Sequence, residues 1–253
     1  MMLSRLKFLT GSLLLVAAPN VFAQEQSQLP ERLKGPDGVP MGYKDDDVPL
    51  FFREPWKVAP IGHGGPVSQA NVAEPDLQLT LYGSPEDINP RRGSERGIQI
   101  NSGPGVPGTG HLFTGLCDQP SAVSLRDRDN YVDLSGFGKI RWLTRVTGLH
   151  LVRPIVKLAD GTWLLGEHGD GTVYDYHWGE FTLAETRWIG IDMKRVVTLG
   201  RWLDKVDLSK VDEVGFADLL PGSGHGDGGY ANLATFEVYG RAVPRGGVAP
   251  KSK

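Results

Sequence analysis

One phrase occurs twice in this chain, and it constrains the fold more than any other stretch. Val132-Asp133-Leu134-Ser135 is followed by Lys139-Ile140, and Val206-Asp207-Leu208-Ser209 is followed by Glu213-Val214. In each copy the Asp and Ser side chains can hydrogen-bond the backbone just after them and close a tight corner, with valine and leucine turned inward. The strand that follows then enters a core. Ile140, Trp142 and Thr144 share one face of the first such strand, and Val214 and Phe216 share one face of the second. Corners of this kind serve where a chain crosses from one sheet to another.

Short alternating runs, separated by turn formers, fill the chain from Asp76 onward. They predict strands at 77–82, 97–101, 111–114, 122–126, 131–134, 139–147, 150–157, 163–167, 172–178, 180–183, 186–192, 196–198, 213–219 and 232–239. No long amphipathic helix competes with them. The pattern predicts an all-β chain, an antiparallel β-sandwich of jelly-roll type with an extended N-terminal segment. That segment, 24–75, is rich in proline, glycine and charge, and its apolar cluster Leu50-Phe51-Phe52 with Trp56 is expected to pin it to the domain. The organisation read from sequence is therefore a signal at 1–23, the segment at 24–75, a sandwich at 76–240 and a tail at 241–253.

The first 23 residues have the parts of a secretory signal: Arg5 and Lys7, an apolar run from Phe8 to Ala18, and Val21-Phe22-Ala23 as a small-residue cleavage site. The run is short of the roughly 20 residues a spanning helix needs, and Pro19 and Asn20 break it. The expectation is an exported protein, periplasmic or secreted by a bacterium, with no membrane span after cleavage near Gln24. Removing two cations leaves the remainder more acidic than the whole-chain net charge of -3. No basic stripe offers the phosphate neutralisation that nucleic-acid binding needs. The single cysteine, Cys117, has no partner for an internal disulfide and reads as a buried thiol.

Three places offer chemistry. The loop Gly222-Ser223-Gly224-His225-Gly226-Asp227-Gly228-Gly229 lets backbone approach closely, with His225 and Asp227 as its reactive side chains. It matches neither a P-loop nor a dinucleotide fingerprint, and glycine serves a plain hairpin equally well. The second place runs from Glu167-His168-Gly169-Asp170 to Tyr174-Asp175-Tyr176-His177-Trp178-Gly179-Glu180. On a regular strand Tyr174, Tyr176 and Trp178 share one face, and Asp175 and His177 the other. An aromatic face suits the C–H surfaces of pyranose rings, while carboxylates and imidazoles bond hydroxyls; the competing reading is an inward, core-forming face. The third is a scattered set of acids and histidines: His63, His111, His150, Asp160, Glu167, Asp170, Asp175, Glu180, Glu185, Asp192 and Asp218. A glycosidase would need two of its carboxylates at a set separation. His168, Asp170 and His177 form only a loose metal set, and Tyr43-Lys44-Asp45-Asp46-Asp47 reads as a solvated acidic turn. Three Arg-Trp pairs, at Arg141-Trp142, Arg187-Trp188 and Arg201-Trp202, predict tryptophan inward and arginine outward, the alternative being an acidic-glycan surface.

The repeated V-D-L-S corner at 132–140 and 206–214, with the closing strand Phe236-Glu237-Val238-Tyr239-Gly240, resembles the galactose-binding-like jelly rolls, which include many carbohydrate-binding modules and the complex I intermediate-associated domain. The resemblance covers about 76–240 and implies fold more than ligand. It also implies carbohydrate as the partner and a structural calcium as the one cofactor, with no family residues carried over position by position. The leading expectation is a non-catalytic carbohydrate-binding protein whose ligand contacts are drawn from His168, Asp170, Tyr176, Trp178, His225 and Asp227. The alternatives are a glycan-cleaving hydrolase or lyase using His177, Asp175, Tyr174 or His225 in acid–base work, and a structural envelope or interaction protein.

Overall fold

In the computed structural model the run Lys139–Val146 is a strand in which every second residue is buried: Ile140, Trp142, Thr144 and Val146 point inward, and Lys139, Arg141, Leu143 and Arg145 outward. The structure describes residues 48–58, 65–83, 97–103, 109–223, 226 and 228–246. These lie in a unit spanning Asp46–Lys253; a separate unit, Met1–Asp45, falls outside the described residues, as do His63, His225 and Asp227.

Among the described residues the strands are β1 (Leu50–Glu54), β2 (Gly65–Pro66), β3 (Leu77–Gly83), β4 (Gln99–Ser102), β5 (Gly110–Phe113), β6 (Ser121–Asp127), β7 (Asn130–Asp133), β8 (Lys139–Val146), β9 (Val152–Leu158), β10 (Trp163–Gly166), β11 (Val173–Thr182), β12 (Trp188–Asp192), β13 (Val197–Leu203), β14 (Val211–Asp218), β15 (Ala231–Tyr239) and β16 (Arg241–Pro244). They form two antiparallel sheets. The seven-stranded sheet has the order β11-β8-β15-β5-β4-β2, with β1 also against β15. The nine-stranded sheet runs β13-β12-β10-β9-β14-β6-β3, with β7 against β14 and β16 against β7. Successive strands alternate between sheets: β5 lies in the first, β6 in the second, β8 in the first, β9 and β10 in the second, β11 in the first, β14 in the second and β15 in the first. That order is a jelly roll, with β12 and β13 added as a hairpin at one edge.

Between the sheets Trp142 stacks on Phe236 at 6.2 Å and meets Phe181 edge-on at 4.9 Å, and Phe216 reaches Phe236 from the opposite sheet. A second apolar cluster lies on the other face of the nine-stranded sheet, where Ile155, Leu165 and Ala217 are buried and Tyr82 and Trp163 meet edge-on at 5.3 Å.

The two corners form as their residues dictate. Asp133 Oδ1 accepts hydrogen bonds from the Ser135 backbone N–H at 2.9 Å and from its hydroxyl, and Asp207 Oδ1 accepts from the Ser209 N–H at 2.9 Å. They also touch: the Leu134 N–H donates to the Leu208 carbonyl at 2.9 Å, and Val132 pairs with Val211. Only the first corner carries the chain between sheets, from β7 to β8; the second stays within the nine-stranded sheet, from β13 to β14.

Upstream of the expected start at Asp76, Leu50–Glu54 is a strand of the sandwich itself, β1 against β15, with Trp56 just past its end. Phe52 packs edge-on against Phe236 at 5.8 Å, and Trp56 is fully buried. The buried Glu54 carboxylate accepts from the backbone N–H groups of Trp56, Ala73 and Glu74 at 2.8–3.1 Å. Burial pushes the Glu54 carboxyl above its usual value, against those three donors. The expected strands 172–178 and 180–183 are one continuous strand, β11, because Gly179 pairs with Trp142 without a break.

Candidate functional site

The face of the seven-stranded sheet turned away from the core is built by register. Leu143 on β8 lies opposite Trp178 on β11 and Thr235 on β15, Arg141 opposite Glu180 and Glu237, and Arg145 opposite Asn232. Phe113 on β5 lies opposite Asn232, and Arg53 on β1 opposite Glu237. Residues paired in this way share a face of the sheet. Trp178 therefore stands outward, 44% exposed, with the Arg141 guanidinium over its ring at 4.2 Å. Glu237, almost fully buried, accepts from Arg53 Nε at 2.7 Å and from the Tyr239 hydroxyl at 2.8 Å, and Arg141 lies 3.8 Å away. Lys139 pairs with Glu180 at 3.4 Å and sits over the Tyr239 ring at 5.0 Å. These ion pairs fix the long side chains around the exposed indole.

The stretch 167–180 does not act as one face. Val173 pairs with Val146 and His177 with Thr144, so four residues on β11 span two on β8 and the strand bulges between them. Two extra residues leave the alternation in phase on either side of the bulge. Tyr174, 76% exposed, and Asp175 stand on it, while Tyr176 and Trp178 lie on the outer side and His177 turns between the sheets.

There His177 Nε2 donates to Asp170 Oδ1 at 2.8 Å, Trp142 Nε1 donates to Asp170 Oδ2 at 3.1 Å, and the Thr144 hydroxyl donates to the same oxygen. A Cβ on Gly179 would lie 2.9 Å from Asp170 Oδ2, so glycine there leaves the carboxylate its room. The Asp170 backbone exchanges two hydrogen bonds with Val152 of the nine-stranded sheet, at 2.8 and 3.0 Å. Asp170 thus clasps the two sheets together. His177 Nδ1 is shielded from solvent and makes no hydrogen bond, and the pair lies between the sheets at the β11 edge with the His177 side chain partly exposed. His168 lies apart, exposed, with Nδ1 3.4 Å from the Thr186 hydroxyl and its ring 6.4 Å from Phe181.

Of the glycine loop, the described residues show packing. A Cβ on Gly222 would meet the Gly115 carbonyl oxygen at 2.3 Å, and one on Gly229, at φ 90°, the Thr147 carbonyl oxygen at 2.2 Å. Backbone approach to backbone accounts for both glycines. Among the scattered candidates His150 and Asp218 form a buried pair, Nδ1 to Oδ2 at 2.7 Å, with the Thr114 hydroxyl donating to the same oxygen at 2.8 Å. Nearby Cys117 is buried, and burial pushes its thiol up to about 12. The described residues bring no group of three or more His, Cys, Asp or Glu side chains together for a metal ion, so the calcium implied by resemblance has no such donor set among them.

Trp142 and Trp188 turn inward and Arg141 and Arg187 outward, whereas Arg201 and Trp202 are both exposed on the edge strand β13. Of the outward residues of β8 and β15, Arg141 was expected outward from its Arg-Trp pair, whereas Arg145, Asn232, Glu237 and Tyr239 were not singled out from sequence. The alternation of K-I-R-W-L-T-R-V was the signal that could have found those on β8.

No protein-family model matches this chain, and no curated protein does. Among solved structures the chain is similar to the family 11 carbohydrate-binding module of cellulosomal cellulase Lic26A-Cel5E of Clostridium thermocellum, at 14% identity and a TM-score of 0.41, over 66% of this chain and 88% of that one. A structure of a family 11 module from Clostridium thermocellum in complex with a β-1,3-1,4-mixed-linked tetrasaccharide gives 14% identity and a TM-score of 0.41, over 74% and 96%. A structure described under endo-acting O-glycanases, which prominent members of the human gut microbiota express to initiate mucin breakdown, gives 12% identity and a TM-score of 0.37, over 76% and 100%. At such scores these likenesses carry no weight for function; the jelly-roll fold of this chain rests on its own strand order.

Proposed function

We propose that this is an exported, non-catalytic glycan-binding protein that holds its ligand on the outer face of the seven-stranded sheet. The observation that carries this reading is Trp178: an exposed indole, braced by a guanidinium and ringed by polar side chains already fixed in ion pairs. A pyranose ring stacks its C–H face on such a surface, and the surrounding donors and acceptors meet its hydroxyls without first losing rotamer freedom. Binding without turnover is favoured because the carboxylates on this face are engaged, Glu237 by Arg53 and Tyr239 and Glu180 by Lys139, and because the Asp170–His177 pair lies between the sheets. Export is favoured by the signal at 1–23.

Binding to a panel of soluble polysaccharides, read by affinity electrophoresis and then calorimetry, tests the proposal. Trp178→Ala should weaken binding by about tenfold or more, on the scale of a lost central aromatic contact. Trp202→Ala, which removes an indole of similar exposure from the other sheet, should leave it unchanged. Retained binding in Trp178→Ala, cleavage products from any bound polymer, or no retention on the whole panel would overturn the reading; the last result would favour an envelope or interaction protein.

A further inference from the structure

Two residues along β8 from Leu143, about 7 Å from the level of Trp178, four side chains from four adjacent strands converge. Arg145 and Asn232 are directly opposed on β8 and β15. Tyr176 leans in from the β11 bulge and His111 from β5, so that their rings lie 5.9 Å apart across the intervening strands. Three polar atoms here are shielded from solvent and make no hydrogen bond: Arg145 Nε, Tyr176 Oη and Asn232 Oδ1. Arg145 has no carboxylate partner among the described residues; its guanidinium lies 6.0 Å from the Tyr230 ring. Every other ion-pairing cation on this face has one, with Arg53 and Arg141 on Glu237 and Lys139 on Glu180.

The protonation states of the surrounding groups are fixed by their environment. Burial pushes the Tyr176 phenol up to about 12, with the Arg145 charge and the Asn232 amide opposing, so its O–H remains a donor. The His111 Nδ1 lies 2.7 Å from the Ser102 carbonyl, which can only accept, so Nδ1 carries the proton. Burial, and secondarily the Arg145 charge, hold this imidazole below its ordinary value, against the Ser102 bond. Among the described residues the nook therefore offers a cation without a carboxylate partner and a neutral phenol donor, and no acid. A protein whose net charge is -3 has placed, on an outward sheet face, a guanidinium that no carboxylate among the described residues compensates.

We infer that this nook takes the carboxylate of an acidic saccharide, a uronate unit, with Arg145 as the counter-charge and Tyr176 as a hydrogen-bond donor, while Trp178 stacks the neighbouring ring. The inference rests on the glycan-binding reading and gives it a substrate class. A planar carboxylate matches the guanidinium fork, and its arrival supplies an acceptor to donors that lack one in the free protein. Tyr176 stands on the irregular part of β11, so its ring is the wall of the nook with the least regular pairing beneath it.

The test is calorimetry of the full chain with oligogalacturonate, oligomannuronate and hyaluronan oligosaccharides, each beside the same oligosaccharide with its carboxylates reduced to alcohols. A sulfated, uronate-free oligosaccharide is a further arm. At least one carboxylated form should bind about tenfold or more tighter than its reduced form, the scale of one charge-assisted contact. That preference should shrink with added salt. Arg145→Gln should abolish the preference, so that carboxylated and reduced forms bind alike, and Arg145→Lys, which keeps charge without the fork, should retain part of it. Tyr176→Phe supplies a second measure should the arginine variants fail to fold. Equal affinity for carboxylated and reduced forms, a preference that survives in Arg145→Gln, or tighter binding of the sulfated oligosaccharide would overturn the inference. Equal affinity that is still lost in Trp178→Ala would leave glycan binding standing, whereas no binding of any form would remove both.

Discussion

At the scale of single residues, Asp170 shows how a side chain that looks reactive in sequence is spent on structure. Its carboxylate answers Trp142, Thr144 and His177 at once, and its backbone pairs with Val152 of the opposite sheet. Asp170→Ala would leave an indole N–H and a hydroxyl without an acceptor between the sheets. It is expected to cost about 2–4 kcal/mol, read as a lowered urea midpoint at unchanged slope. Asp175→Ala, on the exposed bulge a few residues away, should fall within about 0.5 kcal/mol of the parent. Sequence could not separate these two acids. Asp170 is placed between the sheets by its backbone bridge to Val152 and Asp175 is left outside on the bulge between Val173 and His177, and neither a bridge nor a bulge leaves a mark in the sequence. The nook is harder still to read, because His111, Arg145, Tyr176 and Asn232 are brought together only by strand order.

At the scale of elements, the repeated corner was the most legible feature. Val132, Leu134 and Leu208 are buried as their spacing required, and each Asp side chain closes its own turn. What a local motif cannot specify is the partner of the strand that follows, and so the second copy stays in one sheet where a crossing was expected. Element contacts also set an acid response. Asp212, beside Val211 on β14, accepts from Arg126 Nε of β6 at 2.9 Å and from Arg245, just past β16, with Lys157 of β9 at 3.5 Å. Burial alone would raise its carboxyl, but the bonds and charges of Arg126 and Arg245 outweigh it and hold the group below its ordinary 3.8. A carboxylate whose folded pKa is depressed binds its proton more readily when unfolded. Its stabilisation is therefore complete above the unfolded value near 3.8 and drains away as pH falls through the lower, folded value. Asp212→Asn should lose about 1–3 kcal/mol at neutral pH and show a shallower decline below pH 4 in acid titrations followed by circular dichroism.

At the scale of the whole molecule, the sandwich was legible because fourteen short runs and no competing helix leave few alternatives. The extent of the sandwich was less so. The segment 50–58 has the proline and charge of a tail, yet its three aromatics and buried Glu54 complete the core from the far side. A polar composition hides a strand when one buried carboxylate gathers three backbone donors. The outcome for five of the six tryptophans, the half-buried Trp163 aside, is a division of labour in light. Trp56, Trp142 and Trp188 are dark to water, while Trp178 and Trp202 stand in it on opposite sheets. The protein should therefore emit as two populations, a blue one blind to iodide that shifts only on unfolding, and a red one open to the quencher. In Trp202→Phe the red signal belongs chiefly to Trp178, so a bound ligand should announce itself as a loss of iodide quenching at long wavelength while the blue emission stays where it was.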